Sequence, residues 1–143
     1  MKIRRWEFRD NLPISRLEEK YFPDPWSVEM LSETFLSGRF LGFICEEKGE
    51  IAGYIGTTYC LDEAEITMIA VSESFRRKGV ASSLLSSAEK ALADLGVNRM
   101  LLEVRKSNEG AQACYRKNGY TFLAVRERYY RNTEDALIME KKF

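Results

Sequence analysis

The chain has 143 residues, 45% of them hydrophobic, which suits a single domain (1–143) with a real core. Its 22 Lys and Arg balance 22 Asp and Glu, so no global field draws it to nucleic acid or to a membrane surface. Histidine is absent, which removes Ser-His-Asp and Cys-His catalysis and His-based metal sites.

Any general base must therefore be a carboxylate, a shifted Lys, Tyr or Cys, or a relayed water. The start of the chain, Met1 to Glu7, lacks an apolar signal core, and no apolar run approaches a membrane span, so a cytoplasmic protein is expected. Cys45, Cys60 and Cys114 are odd in number and widely spaced, with no metal-ligand pattern. They read as reduced packing residues, and no metal is expected.

In chain order, Lys2 to Phe8 reads as a strand, with Ile3 sharing a face with Arg5 and Trp6 with Phe8. Asp10 or Asn11 caps a helix to about Lys20, in which Ile14, Leu17 and Tyr21 recur at helical spacing. Pro23 and Pro25 bracket Asp24 and fix an extended turn. Ser27 caps the next helix, whose apolar side is Val28, Leu31, Phe35 and Leu36, and Gly38 ends it. Phe40–Glu46 and Ile51–Tyr59 form a hairpin through Glu47-Lys48-Gly49-Glu50, with Gly in the turn. Asp62 and Glu63 turn the chain into a strand over Ile66–Val71, with Ile66, Met68 and Ala70 on one face. A helix over Val80–Leu95 follows, then a strand over Arg99–Arg105 parallel to the earlier one through a crossover. Ser107-Asn108 caps a helix to Lys117, and Tyr120–Arg128 and Ala136–Lys142 are the last strands.

Between the Ile66–Val71 strand and the helix after it stands Arg76-Arg77-Lys78-Gly79-Val80-Ala81. Gly79 permits close backbone approach, and the first helical N–H groups have no internal partner. A helix start flanked by three cations suits a diphosphate. The same residues also fit a tight turn with surface Arg and Lys.

Leu101 to Asn108 is the second informative stretch. Leu102 and Val104 share one strand face, so Glu103 projects from the other with Leu101 and Arg105. Two readings stay open. Desolvation among apolar neighbours would raise the Glu103 pKa toward that of a useful base, or Glu103 is a solvated carboxylate paired with Arg105 or Arg99. Tyr115 lies about two turns beyond Asn108 on a similar helix face, where a Tyr facing the core is more often a packing residue than a catalytic one.

The basic turn after Ile69-Ala70-Val71 resembles the acyl-CoA motif Gln/Arg-x-x-Gly-x-Gly/Ala of the GNAT acetyltransferases. Glu103, Asn108, Ala111, Tyr115 and Gly119-Tyr120 resemble the Leu-Glu-Val-Arg-x-Ser-Asn-x-x-Ala-x-x-x-Tyr-x-x-x-Gly-Phe/Tyr run of RimI-type N-terminal acetyltransferases. Pro25-Trp26, Arg128-Tyr129-Tyr130 and Glu134-Asp135-Ala136 resemble further landmarks of that group. Cys114 stands where Leu is usual and Tyr120 where Phe is commoner.

The resemblance implies an α/β GNAT fold: a mixed, mostly antiparallel seven-stranded sheet with four helices and splayed fourth and fifth strands. It implies acetyl-CoA as cosubstrate. The pyrophosphate would lie on Arg76, Arg77, Lys78, Gly79, Val80 and Ala81, and the pantetheine along Ile69, Ala70 and Val71, with Asn108 contacting coenzyme A. Glu103 would be the base and Tyr115 the acid, touching the cofactor as well. Trp26, Tyr129 and Tyr130 would meet the acceptor, a protein N-terminus and specifically that of a small-subunit ribosomal protein. A monomer or weak dimer is expected. Two alternatives remain: a GNAT acting on a lysine or small amine, and a non-catalytic acetyl-CoA-binding module.

Overall fold

Among the described residues, the computed structural model of the chain has seven strands: β1 (Lys2–Arg5), β2 (Phe40–Glu47), β3 (Glu50–Cys60), β4 (Glu63–Val71), β5 (Arg99–Arg105), β6 (Thr121–Tyr130) and β7 (Glu134–Lys142). Its four α-helices are α1 (Asn11–Tyr21), α2 (Val28–Leu36), α3 (Val80–Asp94) and α4 (Glu109–Lys117). The structure describes residues 1–130 and 134–143, with the backbone alone for 128–130. The strands form one sheet in the order β1-β2-β3-β4-β5-β7-β6, in which only β4 and β5 run parallel.

Helices cover both faces. Val80, Leu84, Leu85, Ala88 and Leu92 of α3 and Tyr115 of α4 bury one face together with Ile55, Ala64, Met100, Leu102 and Met139. Ile14 of α1 and Leu31 of α2 join Trp6, Ile44 and Tyr54 on the other. Each side is an amphipathic helix pressed on an apolar sheet face, and burial of such side chains stabilises by about 1.5–3 kcal/mol apiece.

Four local expectations are corrected. β1 stops at Arg5: the Trp6 N–H still reaches the Gly42 carbonyl (2.9 Å), but the Asp10 carboxylate accepts the Glu7 N–H (2.7 Å) and the Asp10 N–H donates to the Glu7 carbonyl (2.9 Å), opening a tight helical turn over Phe8–Asp10. Trp6 is then 4% exposed and Phe8 49% exposed, so they share no face. Leu36 ends α2 exposed rather than packed, since the chain turns away at Gly38 (φ 79°). Leu61 (φ 57°) and Asp62 make the turn before β4, and Glu63 already belongs to the strand.

The fourth correction bears on function. Opposite Gly56 and Thr57 of β3 stand Met68 and Ile66, so Thr67 is an extra residue in β4, and its hydroxyl donates to the Gly56 carbonyl (3.0 Å). Such a bulge reverses which face each following side chain takes. Ile66 therefore packs with α3, while Met68 and Ala70 pack with α1 and α2.

Candidate active site

β4 and β5 pair over only three rungs, Glu63↔Arg99, Ala64↔Met100 and Glu65↔Leu101. Beyond Leu101, β5 stays paired with β7 on its other side and β4 with β3. The two strands part there, as the splayed arrangement requires. A cleft of about 300 Å³ opens between them, and Trp26, Ile69, Glu103, Asn108 and Tyr115 all line it. Five of the predicted site residues, drawn from β4, β5, α4 and the loop after α1, thus meet at one opening.

The basic turn lies at the head of α3. Arg77 (φ 63°) and Gly79 (φ 77°) both take the left-handed conformation, and no side chain caps α3. The first internal bond of the helix runs from the Ser83 N–H to the Gly79 carbonyl (3.0 Å), which leaves the N–H groups of its first turn for an outside acceptor. Arg76, Arg77, Lys78 and Gly79 are exposed, and Lys78 Nζ sits 5.5 Å from the Phe75 ring centre. Val80 is 3% exposed, with its side chain in the core, so any part of it in ligand binding would fall to its backbone. Alternating left-handed residues, free amides and three cations fit a diphosphate. Arg76 Nε donates to the Val71 carbonyl (3.3 Å) and ties this turn to the end of β4.

Glu103 projects from β5 as the strand pattern predicted, while Met100, Leu102 and Val104 are buried. Its partner is neither Arg105 nor Arg99. Arg126 of β6 donates to the Glu103 carboxylate at 2.6 Å, reaching across β7. Arg105 is bound instead to Glu134, and Arg99 to Glu63 and Glu140. Desolvation, and then the charge of Glu103, push the Glu65 carboxyl above its ordinary value, with Arg126 pulling the other way. Glu103 thus lines the cleft with a guanidinium bound to it and a second carboxylate, Glu65, within electrostatic reach.

α4 is held at both ends, which fixes Tyr115 relative to β5. The Asn108 side chain accepts the Ala111 N–H (3.1 Å) as N-cap. Gln112 Nε2 donates to the carbonyls of Arg105 (3.1 Å) and Lys106 (2.9 Å), at the end of the strand that carries Glu103. At the other end Gly119 (φ 94°) permits a Schellman close, in which the Tyr120 N–H reaches the Tyr115 carbonyl (3.0 Å). The two rings meet edge to face with centres 6.1 Å apart. Asn118 Nδ2 bonds Ser82 Oγ (3.1 Å), tying α4 to the first turn of α3.

The loop after α1 supplies the remaining wall, with Phe22, Pro23, Asp24 and Trp26 lining the cleft beside Glu18. Burial pushes the Glu18 carboxyl above its ordinary value, against bonds from the Tyr54 hydroxyl and the Trp26 N–H. Glu18, Gln112 and Arg126 escaped the reading of the sequence. A Glu and a Gln on amphipathic helices carry no mark of burial, and an Arg on an edge strand carries no mark of its partner. The side chains of Tyr129 and Tyr130 lie outside the described residues. Among the described residues no cluster of His, Cys, Asp or Glu could hold a metal ion, and no helix is long and apolar enough to cross a membrane.

Residues 11–120 match the model of the acetyltransferase (GNAT) family. The ribosomal protein bS18-alanine N-acetyltransferase of Escherichia coli (strain K12) is 36% identical over 136 residues, covering 90% of this chain and 89% of that protein. The crystal structure of the Escherichia coli enzyme superposes with a TM-score of 0.89 at 32% identity, covering 99% of this chain and 92% of the other. The Ard1 protein of Thermoplasma volcanium gives 0.87 at 25% identity, with 99% and 96% covered. By its sequence and by its splayed sheet, the chain belongs to the GNAT acetyltransferase family.

Proposed function

We propose that residues 1–143 form one catalytic domain that transfers the acetyl group of acetyl-CoA to the free α-amine of a protein N-terminus, with a small-subunit ribosomal protein as acceptor. The observation that carries the chemistry is the convergence of Glu103 and Tyr115 on the cleft where β4 and β5 part. The acceptor class is supported by the Escherichia coli relative, whose name specifies a ribosomal protein's alanine. Such an acceptor is found in the cytoplasm.

Acetyl-CoA supplies an acyl group already activated as a thioester. The amides around Arg77, Gly79, Val80 and Ala81 hold its diphosphate, and Arg76 and Lys78 add charge. The β4 backbone over Ile69–Val71 lines up the pantetheine arm, and Asn108 borders it. Glu103, directly or through a water, takes the proton from the incoming ammonium. Tyr115 holds a proton for the sulfur that departs. Trp26, Tyr129 and Tyr130 contact the acceptor peptide.

Proton chemistry favours an N-terminal acceptor for a carboxylate base. An α-ammonium has a pKa near 8 against about 10.4 for lysine, so at neutral pH free α-amine is roughly 200-fold more abundant than free lysine amine. The test is release of coenzyme A with a peptide panel varying the first residue, each peptide paired with an N-terminally blocked, Lys-containing control. Turnover confined to free N-termini is the expected result. Turnover on blocked peptides or polyamines transfers the reading to a lysine or small-amine enzyme. Acetyl-CoA binding without turnover on any acceptor leaves a binding module.

A further inference from the structure

Glu18 is 2% exposed, and among the described residues no cation pairs with it. A buried carboxyl of this kind is costly, and an apolar side chain of the same volume would serve stability at least as well. Its two oxygens have definite partners. The Tyr54 hydroxyl of β3 donates to one at 2.5 Å, and the Trp26 N–H donates to the other at 3.2 Å. One turn earlier on α1, Ser15 Oγ donates to the Trp26 carbonyl at 3.1 Å. Two buried side chains on one face of α1 therefore hold the N–H and the carbonyl of a single residue. That residue sits in a loop where Pro23 and Pro25 have no N–H of their own to contribute. Tyr54, with 0% exposure, anchors the assembly to the centre of the sheet.

We infer that Ser15 and Glu18 clamp the backbone of Trp26, and that Glu18 is a positioning residue fixing the acceptor side of the cleft. The inference rests on the proposed reading that the wall from Phe22 to Trp26 meets the amine-bearing acceptor. The diphosphate turn at the head of α3 shares no hydrogen bond with this clamp, so the two substrates respond differently to its loss. Glu18→Ala frees both the Trp26 N–H and the Tyr54 hydroxyl inside a buried site. Glu18→Gln keeps an oxygen for the Trp26 N–H and offers its amide to the Tyr54 oxygen.

The experiment measures KM for acceptor and for acetyl-CoA in the full-length protein, with hydrogen exchange at the Trp26 amide alongside. For Glu18→Ala the acceptor KM is expected to rise at least tenfold, acetyl-CoA KM to stay within twofold, and Trp26 exchange to quicken at least tenfold. Glu18→Gln is expected within threefold of the parent on all three. A folded Glu18→Ala with parental acceptor KM overturns the inference, and so do equal shifts in both KM values without rescue by Gln. Should Glu18→Ala not fold, Ser15→Ala and Tyr54→Phe take its place, and parental exchange at Trp26 in both overturns the clamp. A panel that finds lysine or small amines as acceptors overturns the N-terminal reading alone. The clamp is then judged with that acceptor, and by exchange at Trp26.

Discussion

Gly53 in β3 lies beneath the first turn of α3, and Gly53→Ala tests whether that close approach holds the diphosphate turn in place. A methyl at this position would stand 3.0 Å from Val80 Cγ1, 3.0 Å from the Ala70 carbonyl oxygen and 3.3 Å from Leu84 Cδ1. The carbonyl belongs to β4 and cannot rotate aside, while Val80 and Leu84 are 3% and 0% exposed. Overpacking of this kind costs about 1–3 kcal/mol. Against it stands about 0.4–1 kcal/mol from the stiffer unfolded chain, available because a strand geometry accepts Ala. The difference leaves a net loss of about 1–2 kcal/mol, a fall in Tm of roughly 3–8 °C for a domain of this size. Because the element displaced is α3, acetyl-CoA KM should rise while acceptor KM stays near the parental value. Thermal unfolding and the two KM values measure this. A Tm at or above the parent would refute the packing argument, and an unshifted acetyl-CoA KM would refute the link to the turn. Gly110→Ala is the control: nothing lies within 4 Å of the added methyl on α4, so helix propensity alone acts and Tm should rise by a few degrees.

Glu103→Gln should lower kcat by about 10²–10⁴-fold with acetyl-CoA KM unchanged, measured by coenzyme A release. Asp10 is 4% exposed; burial pushes its carboxyl up, but Arg4 and the Glu7 N–H outweigh this and hold it below its ordinary 3.8. A carboxyl lowered on folding contributes stability that is present above the unfolded pKa and lost as pH falls through the folded one. Asp10→Asn should therefore cost about 3 kcal/mol at pH 7 and progressively less below pH ~4, as read by urea unfolding across pH. Tyr120→Phe should cost about 1 kcal/mol through the lost bond to Glu89 (2.8 Å), and a double-mutant cycle with Glu89→Gln should show coupling, since Lys141 binds the same carboxylate (2.7 Å).

Much of this fold could be read from residue types, because its signals are local. Strand β5 is legible to the residue, since Leu102 and Val104 flank Glu103 on the opposite face and Arg99 follows the helix stop at Gly96. Ser27 and Asn108 cap their helices as their chemistry suggests. The bulge at Thr67 was invisible, because one extra residue in a strand changes no composition and is defined only by its partner. The Glu103–Arg126 pair was invisible for a related reason. The last strand inserts between β5 and β6, so the two residues become neighbours through an order of strands that no local pattern encodes. The clamp on Trp26 depends on α1 lying over β3, and Ser and Glu on a helix read as surface until that packing exists.

The site lies where the sheet departs from regular pairing. A regular parallel pair would carry β4 and β5 on together past Leu101, satisfying their backbones and closing the cleft. The bulge at Thr67 twists β4 just beyond the last shared rung, Glu65↔Leu101. It also turns Ile66 into the α3 core and Met68 toward α1 and α2, so that both halves of the molecule grip the strand at the point of divergence. β5 is kept from following by β7, which pairs with it along its whole length from Arg99 to Arg105. One strand is thus bent by its own extra residue and the other held straight by a neighbour. The opening lies between these two paired strands, and α4 is bonded to the end of β5 through Gln112. On this account Gln112→Ala, which substitutes no cleft-lining residue, should lower kcat several-fold by loosening Tyr115 relative to Glu103. Parental kcat in a folded Gln112→Ala would mean that α4 is positioned by its core packing alone.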